Sequence, residues 1–413
     1  MGCLWIGAAA AQSDLGSLVF VRAGNLWARD LPGGIARQLT ADGHSDSPKW
    51  SSSGAWIAFL RDGQPWVVRA DGSNPAHLSA DVDNRADLEW SPTGDVLAAG
   101  SAGVFQRDAG GAWRQISPGG EHPVWSPDGQ HLVMDGLSIL DISTGRRGPG
   151  LVPNAPGPTI PAAWSGDGRQ ILYWAAPEVS ASLLADGLRL HSVPAAGGPN
   201  RDTGAWALID SDFVALAPGG QRVALANGCC RESWQEKWIA IFDFPTGQVR
   251  RLTGPEEAAI SPAWSPAGNT IAFVSSHDFG PEEAARPHRA IAPNGAAVTV
   301  PAGRRVGVSF EQQQATLGTR RIWVMDNQGA ARRQLTHDDR YRDERPLWSA
   351  DGAHILFARV DPAGGISLWI MRNDGSELAE VADSLSVPPQ AFQSPRREYY
   401  GHIRWESFFD WRR

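Results

Sequence analysis

The sequence contains little lysine, cysteine or methionine, and it has no long hydrophobic run. Only two of its 37 basic residues are lysines, and three cysteines in 413 residues are too few for a disulfide framework. Packing rather than cross-linking must therefore hold the core together. No stretch approaches the ~20 apolar residues that a membrane-spanning helix needs, so we expect no membrane span.

An excess of positive charge is also missing, and so are the short motifs of common enzymes. The formal net charge is −8, whereas a general nucleic-acid binder needs a basic face for phosphates. We therefore expect no nucleic-acid partner. The chain has no Gly-x-Ser-x-Gly, His-Glu-x-x-His, Cys-x-x-Cys or Gly-x-x-x-x-Gly-Lys motif.

Glycine, proline and tryptophan are abundant, with 46, 30 and 19 residues, and they recur together in a five-residue phrase. Its fullest form is Trp125-Ser-Pro-Asp-Gly129. Proline presets the second turn position, aspartate suits the third and glycine accepts a positive φ, so the phrase predicts a tight turn between antiparallel strands. It occurs at 50–54, 90–94, 125–129, 164–168, 216–220 (where Leu216 replaces Trp), 264–268 and 348–352.

Each phrase tryptophan closes one strand. The phrase is then followed by a short apolar strand, a second strand, a turn and a last polar strand. This gives four strands in roughly 40 residues, and such repeats are typical of a β-propeller. No stretch shows a convincing 3.6-residue apolar period, so helices should be minor. The sequence predicts an all-β fold with a single propeller domain at 15–413 and a long loop insertion at 275–319.

The repeated phrase resembles that of the TolB-like propellers, also described as WD40-like or PD40 repeats. The resemblance covers about residues 17–406, and it implies a propeller of four-stranded blades without indicating any chemistry. TolB itself carries an additional N-terminal α/β domain that this chain has no room for. The role of TolB in the Tol–Pal envelope complex is therefore not carried over.

The two ends of the chain are predicted to complete the ring. Seven phrases give seven blades, and residues 17–21, 25–29 and 36–39 supply three further strands. Residues 399–405 resemble a first strand, with Trp405 in the position of the phrase tryptophan. The sequence thus favours eight blades closed by both termini, with seven as the alternative, because closure leaves no exposed sheet edge.

Residues 1–14 resemble the remnant of a signal peptide, since an apolar stretch is followed by small residues. The alternative is a disordered terminus. The first interpretation predicts an exported protein, periplasmic or at the cell surface, and the second leaves it cytoplasmic. Cys229 and Cys230 form either a vicinal disulfide or a pair of free thiols, and both alternatives stay open.

The long loops are predicted to lie on one face. Strands alternate in direction, so the loops at 175–187, 226–237, 275–319 and 382–398 all lie opposite the phrase turns. Insertions on one face often mark the binding face of a repeat protein. Candidate ligand- or partner-binding residues on that face are His44, Asp46, Asp87, Glu121, His122, Asp212, His337, Asp338, Arg342, Glu344, Arg345 and His402.

Four of these candidates are carboxylates at the predicted mouth of the central channel: Asp46, Glu121, Asp212 and Glu344. They could hold Ca²⁺ or Mg²⁺, or they could instead pair with arginines such as Arg345 and Arg404. No other cofactor is predicted.

We expect a monomeric, non-enzymatic binding or scaffold propeller that recognises a protein or a small polar ligand through the loop-rich face and the channel mouth. The alternative is a hydrolase or lyase acting on a sugar or peptide, with carboxylates and His44, His122, His337 or His402 at the channel mouth. Two such histidines converging in a deep pocket would favour the enzyme.

Overall fold

The structure, a computed structural model, describes residues 15–79, 87–93, 96–108, 110–177, 187–228, 231–276, 316–388 and 400–413, and the backbone of two short strands between 288 and 300. The vicinal cysteines, the first 14 residues and most of the 275–319 insertion lie outside the described residues.

Strands dominate the described chain, and they are numbered here in chain order. Three precede the first phrase: β1 (Ser17–Arg22), β2 (Asn25–Asp30) and β3 (Arg37–Gln38). The next eight are β4 (Ser45–Trp50), β5 (Trp56–Arg61), β6 (Gln64–Arg69), β7 (Ala76–His77), β8 (Leu88–Trp90), β9 (Val96–Ala99), β10 (Val104–Arg107) and β11 (Trp113–Ser117). The following eight are β12 (Val124–Trp125), β13 (His131–Met134), β14 (Ser138–Asp141), β15 (Arg147–Gly150), β16 (Thr159–Trp164), β17 (Gln170–Ala175), β18 (Leu188–Pro194) and β19 (Arg201–Ala207).

The second half continues the pattern. It contains β20 (Val214–Leu216), β21 (Arg222–Asn227), β22 (Trp238–Asp243), β23 (Gln248–Arg251), β24 (Ile260–Trp264), β25 (Thr270–Ser276), the hairpin β26 (His288–Ile291) and β27 (Ala297–Val300), β28 (Arg320–Asp326) and β29 (Arg333–Gln334). The last strands are β30 (Arg342–Trp348), β31 (His354–Val360), β32 (Ile366–Arg372), β33 (Ala379–Leu385) and β34 (Phe409–Arg412). Short 3₁₀ turns occur at Gly100–Ala102, Asp135–Leu137, Ser211–Phe213, Pro255–Glu257 and Trp405–Ser407.

Antiparallel pairing joins the strands into four-stranded groups, each beginning just before a phrase. The first group is β4-β5-β6-β7, and the last complete one in chain order is β30-β31-β32-β33. First strands contact one another across neighbouring groups, as β4 does with β8 and β24 with β30, so they line the central axis. The prediction of an all-β propeller is confirmed.

Hydrogen bonds of the phrase serine and the positive φ of the phrase glycine stabilise the phrase as a turn. In its third copy, the Ser126 hydroxyl donates to the Asp128 carboxylate at 2.6 Å and accepts from the His131 backbone N–H at 2.9 Å. Gly129 has φ +68°, which glycine adopts at little cost. The same serine–aspartate pair closes the turns at Ser165 and Ser349.

Most phrase tryptophans also tie their group to the one before it. In five of the six, the indole Nε1–H donates, at 3.0 Å, to the carbonyl of the residue that precedes the phrase position of the preceding group, whereas Trp50 Nε1 has no hydrogen-bond partner among the described residues. These bonds run from Trp90 to Lys49, Trp125 to Glu89, Trp164 to Val124, Trp264 to Ala215 and Trp348 to Ala263. The repeat therefore encodes contacts between sheets as well as turns within them.

Both ends of the described chain meet in one further group, β34-β1-β2-β3. The predicted inner strand at 399–405 is wrong, because Trp405 begins a 3₁₀ turn and β34 supplies that strand instead. Trp411 pairs with Leu18 in the register that Trp348 has with Ile355, so it occupies the phrase position. Within the described residues, the strands fall into eight four-stranded groups, two pairs of which are joined into eight-stranded sheets. The number of blades stays a prediction, with eight favoured and seven the alternative.

Candidate functional site

The face opposite the phrase turns, called here the loop face, is crossed by residues 400–408, called the C-terminal plug. Its Gly401, His402, Ile403, Trp405 and Phe408 are buried. The plug contacts three of the four-stranded groups. His402 bonds to the group that begins with β20, and Trp405 bonds to the group that begins with β30. The 3₁₀ turn of the plug packs on β4. The plug therefore fills the mouth of the central channel on the loop face.

His402 fastens the middle of the plug to the group that begins with β20. Its Nε2 lies 2.8 Å from the Asp212 carboxylate, and its Nδ1 lies 3.5 Å from that of Asp210. Burial alone would lower the pKa of His402, but the two carboxylates outweigh it and raise that pKa to about 9. His402 is thus a buried imidazolium at neutral pH.

The two partners of His402 respond in opposite ways. Burial alone would raise the pKa of Asp212, but the charge and hydrogen bond of His402 lower it, and the Ser261 hydroxyl donates a further bond at 2.7 Å. Burial raises the pKa of Asp210, which lies farther from the imidazole. The ring of Phe213 packs edge-on against His402, with centroids 5.0 Å apart.

Glu344 fastens the other side of the plug. Its carboxylate accepts from the Trp405 indole at 3.0 Å, from Arg342 Nε at 2.5 Å and from Arg320. Both guanidinium groups also donate to the Gly401 carbonyl, at 2.7 and 3.1 Å. Burial alone would raise the pKa of Glu344, but the two arginines lower it, so the carboxylate is ionised in the closed channel mouth.

Gly401 is the position at which the plug approaches the loops most closely. Its φ is +77°, and a Cβ placed there would lie 2.5 Å from the Trp234 ring and 3.0 Å from Leu317. Trp234 belongs to the loop between β21 and β22, and Leu317 lies just before β28. Parts of two insertions therefore hold the plug in place.

Of the predicted site residues, Asp212, Arg342, Glu344 and His402 converge on the plug. Arg345 lies near them: it has φ +54° and lowers the pKa of Asp212 through its charge. Asp87 acts on the plug residue Arg404 through its charge. Burial alone would lower the pKa of Arg404, but Glu406 raises it, and Asp87 raises it by a smaller amount.

The remaining predicted residues include His44, His337 and Asp338, whose described contacts lie away from the plug, and Asp46, which lies on β4, the strand that the plug's 3₁₀ turn contacts. His44 Nδ1 contacts Asp62 at 3.0 Å, and the buried Asp46 accepts from the Ser47 hydroxyl at 2.7 Å. His337 is exposed, and Asp338 pairs with the exposed Arg340 at 2.7 Å. No two of the four candidate histidines are brought together by the contacts of the described residues.

Glu121 and His122 form a separate cluster with Asp135. His122 Nδ1 lies 3.1 Å from both oxygens of Asp135. Burial alone would lower the pKa of His122, but the hydrogen bond and charge of Asp135 raise it. Among the described residues, this is the one group of three side chains with potential metal-ligand atoms within 4.8 Å of one another. The predicted quartet of Asp46, Glu121, Asp212 and Glu344 does not form such a group there.

Sequence reasoning missed Arg320, Asp210 and Asp135. Arg320 begins β28 after a long insertion, so no repeat position marks it. Asp210 stands two residues from Asp212, and this doublet was a usable signal for a paired site. Asp135 follows β13 in a 3₁₀ turn, and only the fold brings it to His122.

The fold and the site together define a β-propeller whose channel mouth on the loop face is filled by its own chain. No helix among the described residues is long and apolar enough to cross a membrane.

No protein-family model matches the chain, and no curated protein matches its sequence. Solved structures match it in shape. Dipeptidyl peptidase 4 from Porphyromonas gingivalis has 12% identity and a TM-score of 0.53 over 90% of this chain and 60% of its own, so this chain spans less than two thirds of it. This likeness concerns the fold alone.

Two TolB structures are also similar. The protein designated TolB from Agrobacterium tumefaciens has 14% identity and a TM-score of 0.39 over 89% of this chain and 88% of its own. TolB from Acinetobacter baumannii has 16% identity and a TM-score of 0.37 over 82% and 67%.

Proposed function

We propose that this propeller is a non-enzymatic scaffold that binds a partner protein through its loop face. The plug is the observation that supports this proposal. Buried ion pairs of His402 with Asp212, and of Glu344 with Arg320 and Arg342, hold the chain in the channel mouth. A filled mouth offers a broad, mixed-charge surface instead of the deep pocket that small-molecule sites use.

The buried charges at the mouth serve the plug rather than a substrate. Removing one partner of a buried ion pair typically costs 3–5 kcal/mol, because the other charge stays buried and unpaired. A catalytic acid or base at His402 or Glu344 would have to give up such contacts in every turnover. Holding the plug is therefore the role that these residues fit best.

The rim outside the plug supplies exposed charges for recognition. Arg340 and Asp338 form an ion pair in the connection between β29 and β30, with 71% of the Arg340 side chain exposed. Rim charges of this kind act on binding chiefly through the association rate and through partner selection. We expect a partner with complementary charges to contact this pair.

The test is to capture partners on the immobilised chain, purify them, and measure each affinity by calorimetry. Arg340→Ala should weaken binding of a loop-face partner by about tenfold. The matched control is Arg372→Ala, which breaks the exposed pair with Glu377 (2.7 Å) at the end of β32, beside the phrase turns. Equal affinity of both variants and the wild type for every partner would contradict the proposal.

The hydrolase or lyase alternative remains a second proposal, because a propeller fold is compatible with many activities. His122 is its best-placed histidine, since it contacts Asp135 and stands outside the plug. Turnover of a glycan or peptide library that His122→Ala abolishes would favour the enzyme. Turnover that this variant retains would exclude His122 as the catalytic group.

We also propose that the protein is an exported monomer, in the periplasm or at the cell surface. The small-residue pattern at 3–14 supports export. Cell fractionation with N-terminal sequencing of the mature chain tests it, and an uncleaved cytoplasmic protein would contradict it. Light scattering after size exclusion tests the monomer.

A further inference from the structure

The loop face carries one group of charged side chains that the plug does not use: Glu121, His122 and Asp135. Glu121 and His122 lie in the connection before β12, and Asp135 lies in the 3₁₀ turn after β13. The donor atoms of all three side chains lie within 4.8 Å of one another. The cluster therefore gathers one imidazole and two carboxylates from two separate loops.

Backbone contacts hold these loops together independently of the side chains. The Asp135 N–H donates to the Glu121 carbonyl at 3.1 Å, so the two segments are joined beside the cluster. His122 has φ +49°, a conformation that Ser47, Ser261 and Arg345 share at the same position, three residues before the phrase tryptophan. His122 thus shares the backbone conformation that the repeat adopts at this position.

Glu121 differs from the other carboxylates that the sequence singled out. Asp212 pairs with His402, and Glu344 pairs with Arg320 and Arg342, so both are already neutralised. Within the residues that the structure describes, Glu121 makes no ion pair, and its charge instead lies beside His122 and Asp135. Its neighbours therefore include a side chain, His122, that could act as a metal ligand.

The donor set matches transition-metal chemistry. Imidazole nitrogen suits Zn²⁺ and its neighbours in the first row, whereas Ca²⁺ and Mg²⁺ prefer oxygen ligands alone. Bonds of about 2.0–2.1 Å place the donors of a tetrahedral Zn²⁺ roughly 3.3 Å apart. The His122 and Asp135 atoms already stand 3.1 Å apart, and the exposed Glu121 side chain can move inward without disturbing the core.

We propose that Glu121, His122 and Asp135 bind one Zn²⁺ ion, or another divalent transition metal, on the loop face. His122 would bind as neutral imidazole through Nδ1, with its remaining proton on Nε2, and any proton displaced from Nδ1 would go to solvent. Three protein ligands leave a fourth position for water or for a donor group of a bound molecule. The site is independent of the plug and of the proposed scaffold function.

The test is calorimetric titration of the chelator-treated full chain with Zn²⁺ and, separately, with Ca²⁺. We expect one Zn²⁺ per chain and no comparable Ca²⁺ binding. His122→Ala should weaken Zn²⁺ binding by about 100-fold, and Glu121→Gln by about tenfold. The matched control is His44→Ala, because His44 contacts Asp62 at 3.0 Å but belongs to no three-ligand group among the described residues.

Two further measurements keep the result unambiguous. The double variant Cys229→Ser/Cys230→Ser should retain the ion, which excludes binding by the vicinal thiols. Unchanged melting temperatures of the metal-free variants would show that they are folded, and loss of the visible absorption of bound Co²⁺ in His122→Ala would report the ligand directly. The proposal is overturned if wild type binds no Zn²⁺, if His122→Ala binds it as tightly, or if Ca²⁺ binds better.

Discussion

Replacing His402 with glutamine should loosen the plug strongly at low pH and hardly at all at high pH. Glutamine can still donate to Asp212, but it removes the buried positive charge between two carboxylates. The pKa of His402 is about 9 in the fold, against 6.5 for an unperturbed histidine side chain. Because 1.36 kcal/mol corresponds to one pKa unit, the fold gains on the order of 3 kcal/mol from protonated His402.

The pH dependence follows from the direction of this shift. Since the pKa is raised on folding, the stabilisation is fully present below about pH 6.5 and is lost as the pH rises through about 9. The wild type should exceed His402→Gln by roughly 200-fold in protection at pH 6 and by about twofold at pH 9.

Amide hydrogen exchange of residues 400–408, read by mass spectrometry, measures this local opening. His44→Gln is the matched control, because the half-exposed pair of His44 with Asp62 should contribute less than about 1 kcal/mol. Equal protection of wild type and His402→Gln at pH 6, or a gap that widens toward pH 9, would refute the role given to His402.

Three further perturbations test the ring and the plug. Trp348→Phe removes the indole bond to the preceding group and should lower the stability by about 1 kcal/mol more than Trp50→Phe, whose Nε1 has no hydrogen-bond partner among the described residues; equal melting shifts would contradict this. Gly401→Ala should lower the free energy of unfolding by several kcal/mol, because its Cβ would clash with a tryptophan ring in addition to the roughly 1–2 kcal/mol cost of a positive φ. Gly168→Ala is the control, since it has the backbone cost but no neighbouring atom to clash with. Equal losses in a denaturant titration would contradict the close packing at Gly401. Deletion of 409–413 removes the strand paired with β1 and should give an unfolded or aggregated chain by size exclusion, and a truncated chain that melts like the full one would show that β34 does not close the ring.

The sequence alone was sufficient to predict the repeat, its turn and the all-β propeller that follows from them. The phrase around Trp125 combines turn chemistry with a fixed spacing, and both its turn and its indole bond to Glu89 are present in the structure. Periodic local signals of this kind determine which strands pair in six of the eight groups, whose four strands are consecutive; the exceptions are β24-β25-β28-β29 and β34-β1-β2-β3. The all-β propeller could therefore be predicted without the structure.

The closing strand could not be predicted in the same way. Trp411 occupies a phrase position, but it is followed by Arg412, where the other copies have serine or alanine, so the phrase cannot be recognised there. The closing strand was predicted to contain Trp405 instead. In the structure, the indole of Trp405 donates to Glu344 and Trp405 belongs to the plug. The plug itself depends on contacts between residues far apart in the chain, such as Asp212 and His402, and no local pattern encodes them.

The candidate site was predicted in part for the same reason. The sequence placed Asp212 and Glu344 at the channel mouth because they stand just before the phrase position, and in the structure both contact the plug; their role in a binding site stays a prediction. Their partner Arg320 comes from the end of a long insertion, where spacing carries no information. Charge alone also could not indicate whether these carboxylates bind a cation or a chain segment.

The most direct test of this account is a crystal structure of the full chain purified without chelator, with anomalous data for metals. We predict that residues 400–408 lie in the channel mouth, with His402 between Asp210 and Asp212, and that residues 409–412 pair with β1. An open channel mouth, or a different segment paired with β1, would contradict it.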